Sequence, residues 1–340
     1  MLKLAGNSFC YDTSKEEEPS DTWAFTENKR RYAKTDSDYL CPVDVAEKDR
    51  MDIFHEVFNK IRQDHLHSVP ISHPSRPIEV QEGQLPVSQT ARKPIQCTRG
   101  PNILDIGTGT GIWAIMMARQ YPEGIVLGLD RFWYLQPQVI MPNSHFWPMD
   151  VERDSWDSIE YNWDMAHARM LMGNIYNWDQ LYSKIFKHLR PGTGYFEQVD
   201  FDFTFRSEDN SITPSTVFHV WNTKYKDAMN KLGCSVDIDG LAVQRKLRNA
   251  GFVDVTMEIK QVPVNPWQRG SEDIGRFMNL AFTHSLQGML LRPLTRAGGM
   301  TPDQVNELVQ QLGTEMCYMH WKPYVNLYIW TARRPDMPRV

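Results

Sequence analysis

The chain has 340 residues, of which 41% are hydrophobic and 23% are charged, with a formal net charge of −5 at pH 7. This composition is typical of a globular protein with a substantial core, and it argues against a strongly basic surface and against direct sequence-specific nucleic-acid binding. The five cysteines form no C-x-x-C pair, so we predict neither a disulfide framework nor a metal site, and the absence of long apolar runs predicts an intracellular protein without a membrane span.

The N-terminal third of the chain precedes the first predicted strand of a sheet. Residues 1–24 are acidic and poor in apolar side chains, which predicts a disordered tail. Residues 25–68 contain an amphipathic helix that starts near Asp44, and we expect this segment to cap a cofactor site. Residues 69–100 hold five prolines among polar residues, which is typical of a surface loop.

Residues 103–113 read Ile-Leu-Asp-Ile-Gly-Thr-Gly-Thr-Gly-Ile-Trp, a buried strand that breaks into a glycine loop and then opens a helix. Glycines let the backbone turn sharply and approach a ligand, which then lies at a helix N-terminus. A dinucleotide loop, G-x-G-x-x-G, would need glycine where Ile112 stands. The acid-x-G-x-G-x-G pattern instead resembles the S-adenosylmethionine (AdoMet) loop of class I methyltransferases.

The segments after this loop follow the order of that fold. A strand at 124–130 ends in Asp130, whose carboxylate can accept both ribose hydroxyls and would repel a 2′-phosphate. A strand at 145–150 ends in Asp150, where class I methyltransferases bind the adenine amino group, although Asp150 also reads as part of a charged turn. The next predicted elements are a strand at 163–168, a helix at 178–189 that ends in an Arg-Pro-Gly turn, and a strand at 194–203.

We therefore predict an α/β, Rossmann-like class I methyltransferase fold over residues 101–334, with a seven-stranded, mainly parallel sheet and helices on both faces. A substrate lid is predicted at 205–240, and a helical insertion at 265–322 separates the last two strands. The elements predicted in this part are helices at 216–232, 241–250, 274–291 and 303–318 and strands at 252–262 and 324–332.

AdoMet is the predicted cofactor, while a nicotinamide dinucleotide and a ligand-free remnant of the fold remain as alternatives. The expected cofactor-binding residues lie in the N-terminal segment, in the glycine loop and at strand ends: Tyr32, Asp105, Gly107, Thr108, Gly109, Gly111, Asp130, Arg131, Asp150, Val151, His167 and Arg169. Arg169 fits the cofactor acids or its methionyl carboxylate, and it fits a structural ion pair with Asp164 equally well.

Methyl transfer from a sulfonium requires alignment of a nucleophile more than acid–base help, so no catalytic residue is obligatory. Three weak candidates for a base follow the later strands: His167, Glu197 and Asp200. A lone histidine among apolar neighbours is more often structural. Strand alternation places Glu197 and Asp200 on opposite sides, so we expect that one lines the site while the other is solvated.

Short motifs outside the glycine loop form a more specific pattern. They are Glu27-Asn28 with Arg31-Tyr32, Tyr39-x-x-Pro42, Glu47–His55, Asn177-Trp178 with Leu181-Tyr182, Tyr195–Gln198 and Val264–Trp267. Together with the loop, this set resembles the fungal LaeA-type methyltransferases, from about Phe25 to Arg334. Lys29 and Ala33 depart from the family pattern, which has Gly and His at these positions.

The resemblance implies a regulator of secondary metabolism and development that works with velvet-family proteins. It implies the nucleus as the main location, the cytoplasm as a second one, and a protein, histones included, as one class of methyl acceptor. Two functions stay open: an AdoMet-dependent methyltransferase, and an AdoMet-binding scaffold of a transcriptional complex with little turnover. The basic residues between Lys29 and Lys34 fit either a nuclear import signal or a solvated turn.

Overall fold

The computed structural model describes residues 19–34, 38–71, 100–138 and 140–336. Most of the predicted acidic tail and of the predicted proline-rich loop therefore lies outside the described residues. The strands are β1 (Ala24–Glu27), β2 (Arg30–Ala33), β3 (Asn102–Ile106), β4 (Ile125–Asp130), β5 (Ser144–Pro148), β6 (Met165–Arg169), β7 (Tyr195–Ser207), β8 (Val253–Pro263) and β9 (Pro323–Arg333). The helices are α1 (Val45–Ile61), α2 (Ile112–Gln120), α3 (Trp178–His188), α4 (Val217–Lys231), α5 (Gly240–Asn249), α6 (Glu272–Arg296) and α7 (Pro302–Cys317).

The chain forms two compact units. One, which we call the sheet unit, consists of Ile61–Thr204, Gly233–Val262 and Val325–Val340. Within the described residues, seven strands form one sheet in the order β5-β4-β3-β6-β7-β9-β8. The first five strands in this order, β5-β4-β3-β6-β7, are parallel to one another. The predicted α/β fold with a mainly parallel seven-stranded sheet is confirmed.

Helices cover both faces of the sheet because the parallel strands are apolar on both sides. Ile103 of β3 packs in one core cluster with Trp113 and Met117 of α2. Its neighbour Leu104 points to the opposite face and packs in a second cluster with residues of α3 and α5, such as Leu181. Alternation along β3 thus produces two separate cores, one for each face.

The carboxyl ends of β5 and β7 differ from the predicted ones by two and four residues. β5 ends at Pro148, so Asp150 lies in the following turn and not in the strand. The Oδ1 atom of Asp150 accepts hydrogen bonds from the amides of Glu152 and Arg153, each at 3.0 Å, and this side-chain turn ends the extended chain. β7 extends to Ser207, beyond the predicted end at 203.

The other unit, which we call the helical unit, consists of Met1–Lys60, Phe205–Leu232 and Pro263–Tyr324. It groups residues of the predicted N-terminal segment, lid and insertion. Its strands β1 and β2 form an antiparallel hairpin that the sequence analysis did not predict. Asn28 and Lys29 form the turn with φ values of 50° and 65°, and positive φ at both central residues is typical of a two-residue hairpin.

Local sequence signals account for the start of α7. Thr301 caps the helix by accepting from the Gln304 amide, and the Gln304 side chain accepts from the Thr301 amide in return, which completes a capping box. Pro302 occupies the first turn, where its missing N–H costs nothing.

None of the described helices combines the length and apolar character of a membrane span. No cluster of His, Cys, Asp and Glu suited to a metal ion occurs among the described residues.

Candidate functional site

The glycine loop joins the end of β3 to the start of α2. Gly107, Gly109 and Gly111 all adopt left-handed conformations, with φ values of 69°, 55° and 74°. A Cβ atom on Gly107 would lie 2.4 Å from a methyl carbon of Leu171, and one on Gly111 would lie 2.6 Å from the Phe146 ring. Backbone conformation therefore favours glycine at all three positions, and the close neighbours at Gly107 and Gly111 favour it there as well. The loop delivers the chain to the N-terminus of α2, where free amides can face a ligand.

Asp105 holds the shape of this loop from inside. Its Oδ2 atom accepts a hydrogen bond from the Thr108 hydroxyl at 2.7 Å, and its Oδ1 atom lies 2.9 Å from Nδ1 of His167. The Thr108 amide donates to the carbonyl of Leu129 on β4 at 2.9 Å. Because Asp105 is buried and both its oxygens are engaged, it orients the loop through hydrogen bonds.

Asp130 lies beside the loop at the end of β4, as predicted. Its Oδ2 atom accepts the Gly109 amide at 2.8 Å, and its Oδ1 atom accepts the Phe132 amide at 3.1 Å. Burial raises the pKa of this carboxyl, although both amides act to lower it. A carboxylate has about four lone-pair sites, so two remain for the hydroxyls of a ribose.

Asp150 and Arg131 are brought together at the ends of β4 and β5. Their side chains form an ion pair with 3.0 Å between Arg131 Nη2 and Asp150 Oδ2. Val151, also a predicted cofactor contact, is buried in the same hydrophobic cluster as Met149. The amide hydrogen bonds to Asp150 fit the charged-turn alternative, and its ion-pair partner Arg131 directly follows Asp130 in the chain.

His167 lies in the interior of the sheet unit. Its ring stacks on the indole of Trp113, with 3.7 Å between centroids and 9° between planes. Burial lowers its pKa while hydrogen bonding to Asp105 acts to raise it, so the neutral imidazole donates from Nδ1 to that carboxylate. Trp113 in turn donates from Nε1 to the carbonyl of Leu66 at 2.9 Å. These contacts favour the structural interpretation of His167.

Glu197 pairs with a residue that sequence reasoning missed. Arg62, directly after α1, binds its two oxygens at 2.9 and 3.1 Å, and the Ser68 amide binds one of them at 2.6 Å. Burial alone would raise the pKa of Glu197, but the Arg62 charge and hydrogen bonds outweigh it and the pKa is lowered. No local pattern signals this pair, because 135 positions separate its members.

Asp200 is the third candidate base and has a different environment. It accepts hydrogen bonds from the Met172 amide at 3.1 Å and from Gln198 Nε2 at 2.9 Å. Burial raises its pKa to about 6 against these bonds. Glu197 and Asp200 do occupy opposite sides of β7, but the expectation that one of them is solvated is wrong, since both are buried among polar partners. Of the three candidates, Asp200 is best suited to exchange a proton near neutral pH.

The two remaining predicted residues lie in different surroundings. Arg169 ends β6 and acts electrostatically on His167, whereas Asp164, its alternative partner, is bound by Arg190 Nε at 2.6 Å. Tyr32 belongs to the helical unit, where its buried ring lies 3.4 Å from the guanidinium carbon of Arg292. The site assembled in the sheet unit therefore comprises the glycine loop, Asp130 and the strand ends around them.

A doubly wound sheet, a loop whose glycines adopt left-handed backbone conformations and an acid at the end of the next strand together define the class I methyltransferase fold. A family model described as a methyltransferase domain matches residues 84–256. Among solved structures, phosphoethanolamine N-methyltransferase 2 of Haemonchus contortus in complex with S-adenosyl-L-methionine aligns with 70% of this chain and 49% of its own, at 17% identity and a TM-score of 0.42.

Curated relatives define the family more narrowly. Secondary metabolism regulator LAE1 of Cochliobolus heterostrophus is 36% identical over 302 residues, which cover 88% of this chain and 90% of that protein. Secondary metabolism regulator LAE1 of Pyricularia oryzae is 35% identical over 337 residues, which cover 96% and 94%. The chain belongs to the LaeA/LAE1 family of secondary metabolism regulators, and the predicted family is confirmed.

Proposed function

We propose that this protein binds AdoMet at the glycine loop and transfers its methyl group, as a nuclear regulator of fungal secondary metabolism and development. The observation that carries the proposal is the cradle formed by Gly107, Gly109 and Gly111, in which Cβ atoms on Gly107 and Gly111 would collide with neighbouring side chains. Asp130 supports the same cofactor because it already bonds the central glycine amide and keeps lone pairs for ribose hydroxyls.

Different residues of the site would bind different parts of the cofactor. Asp130 would hold the ribose, Asp150 with Arg131 would lie at the adenine end, and the first turn of α2 would face the remaining polar groups. Bound AdoMet supplies a methyl group on a sulfonium, which is electrophilic without further activation. The protein then contributes mainly orientation, and Asp200 is the group that can hold or release a proton near pH 6.

A second function, an AdoMet-binding scaffold, is favoured by one observation. His167, Glu197 and Asp200 are each buried and hydrogen-bonded to other protein groups. A base that must take a proton from an incoming acceptor needs access to it. If these candidates serve structure alone, the protein would act through assembly of a complex and would use AdoMet as a structural or sensed ligand.

A double variant tests whether the protein acts through bound AdoMet. Gly107→Ala with Gly109→Ala, introduced into the full chain in a strain that lacks this gene, should abolish AdoMet binding and secondary-metabolite production together. Gly299→Ala is the matched control, since Gly299 has a similar φ of 68° but has no atom within 4 Å of an added Cβ. Normal metabolite production by a folded double variant that no longer binds AdoMet would contradict both proposals, because each depends on bound AdoMet.

We propose velvet-family proteins as partners and a protein, such as a histone, as the methyl acceptor; family membership supports both. We also propose a nuclear location, with the cytoplasm as a second site, for which the basic cluster offers little support. Arg30 is buried in a bidentate pair with Asp44, and Arg31 binds Asp21. A fluorescent fusion of the full chain and precipitation of a tagged chain with velvet proteins test these points; a strictly cytoplasmic, partner-free protein would contradict them.

A further inference from the structure

A cleft of about 540 Å³ lies within the helical unit, between the start of α4 and the C-terminal half of α7. Phe218 of α4, Glu315 of α7 and Trp321 of the following segment contribute to its walls. None of the lining residues belongs to the glycine loop or to the strand ends of the sheet unit. Methyl transfer as proposed above leaves this cleft without a role.

The cleft carries negative charge. Among the lining residues that the structure describes, Glu315 is the sole charged side chain, and no Lys, Arg or His is present. The helix that contributes this wall has three acids, Asp303, Glu307 and Glu315, and no basic residue. Glu315 is also in the last turns of α7, where the helix dipole adds negative potential instead of neutralising the carboxylate. The chemistry of the cleft therefore favours a cation.

Two aromatic rings accompany this carboxylate. The Trp321 indole donates its Nε1 hydrogen to Glu315 Oε2, which fixes the ring beside the charge. Trp321 also packs edge-to-face with Phe218, with 6.3 Å between centroids and 71° between planes. Aromatic faces attract ammonium groups through their quadrupole, and the effect adds to a neighbouring carboxylate. A carboxylate next to indole and phenyl rings is suited to an alkylammonium group.

The rest of the lining suits a peptide better than a free amine. The side chains of Ser215, Gln310 and Gln311 supply hydroxyl and amide groups that can pair with peptide N–H and C=O groups. The volume of about 540 Å³ also exceeds what a single small amine fills, and it lies in the range of sites that bind drug-sized ligands, so it can accommodate a short peptide. We propose that this cleft binds a peptide through a lysine side chain, whose ammonium group lies between Glu315 and Trp321.

The test uses the full chain labelled with ¹⁵N at tryptophan, with the Trp321 indole signal assigned by its loss in Trp321→Phe. Three probes are titrated: acetyl-Ala-Lys-Ala-amide, the same peptide with norleucine in place of lysine, and butylammonium. The lysine peptide should shift the Trp321 signal in a saturable way, and the norleucine peptide should not. Glu315→Gln, which can still accept from the indole, should weaken the lysine peptide at least about tenfold because it removes a charge-assisted contact.

Asp303→Asn is the matched control, since it makes the same charge change on the same helix at an exposed residue that does not line the cleft. Binding to this variant should stay within about twofold of the unaltered chain if the contact is local to Glu315. Equal affinities for the lysine and norleucine peptides, or equal losses in the two variants, would overturn the ammonium site. Butylammonium that binds as tightly as the lysine peptide would overturn the peptide as occupant.

Discussion

His167 Nδ1 lies 2.9 Å from Oδ1 of Asp105. This buried contact connects β6 to the end of β3, where the glycine loop begins. The two residues are direct neighbours in the parallel register of β3 and β6, and Glu197 continues the same row on β7. The row joins an acid, an imidazole and a second acid across three adjacent strands. The glycine loop is therefore positioned from the interior of the sheet.

Replacing His167 should destabilise the protein. His167→Ala removes the ring that stacks on Trp113 and one partner of Asp105, so we expect a loss of about 2 to 4 kcal/mol in the free energy of unfolding, measured by urea denaturation. His167→Asn, whose amide can still donate to Asp105, should lose less. His284→Ala, at an exposed position of α6, is the control and should change stability by less than about 0.5 kcal/mol. Equal effects at the two sites would contradict this role.

Loss of the buried ion pair between Arg62 and Glu197 should lower the free energy of unfolding far more than loss of an exposed pair. Glu197→Gln leaves a buried guanidinium without its counter-charge, and we expect a cost of about 3 to 5 kcal/mol in urea unfolding. Arg62→Met combined with Glu197→Gln should recover part of this loss, because no unpaired charge remains. Asp273→Asn, which breaks the exposed pair with Arg276, should cost about 0.5 kcal/mol or less. A double variant that is no better than Glu197→Gln would argue against an unpaired charge as the cause.

Asp200 should make stability depend on pH. Since its pKa is raised from 3.8 to about 6, the folded chain binds this proton more tightly than the unfolded chain, and stability falls as the pH rises through that window. The full effect corresponds to about 3 kcal/mol. Asp200→Asn is always neutral, so its stability relative to the unaltered chain should rise by about 2 to 3 kcal/mol between pH 4 and 7.5. A difference that is the same at both pH values would contradict the raised pKa.

Asp130 should control affinity for the cofactor. Asp130→Asn keeps an oxygen for the Gly109 amide but loses the charge that would bind ribose hydroxyls, so we expect AdoMet affinity to fall about 10- to 100-fold in calorimetry. Asp157→Asn, at an exposed turn of the same unit, is the control for net charge. Unchanged affinity in a folded Asp130→Asn variant would place the ribose elsewhere.

The sequence revealed the parts of the site that depend on local pattern. Gly107, Gly109 and Gly111 are visible because positive φ selects glycine at each, and Asp130 is visible because it ends an apolar strand at the right distance. The contacts of Glu197 with Arg62 and of Asp105 with His167 are set by strand register and by a distant segment, which no local pattern encodes.

The same limit explains the missed hairpin. β1 and β2 are four residues each, and their turn uses Asn28 and Lys29 where glycine would have been the stronger signal. In the sequence, Arg30 belongs to a basic cluster. In the structure it forms a bidentate ion pair with Asp44, which lies 14 positions further along the chain. Charge counted along the sequence therefore did not reveal which charges are paired.

The central claim is that the loop from Asp105 to Gly111 binds AdoMet, and isothermal titration of the full chain tests it most directly. AdoMet and S-adenosylhomocysteine should each give a saturable heat of binding with one site per chain, and NAD should give none, because Ile112 replaces the third glycine of a dinucleotide loop. Binding of NAD without binding of AdoMet or S-adenosylhomocysteine would contradict the assignment.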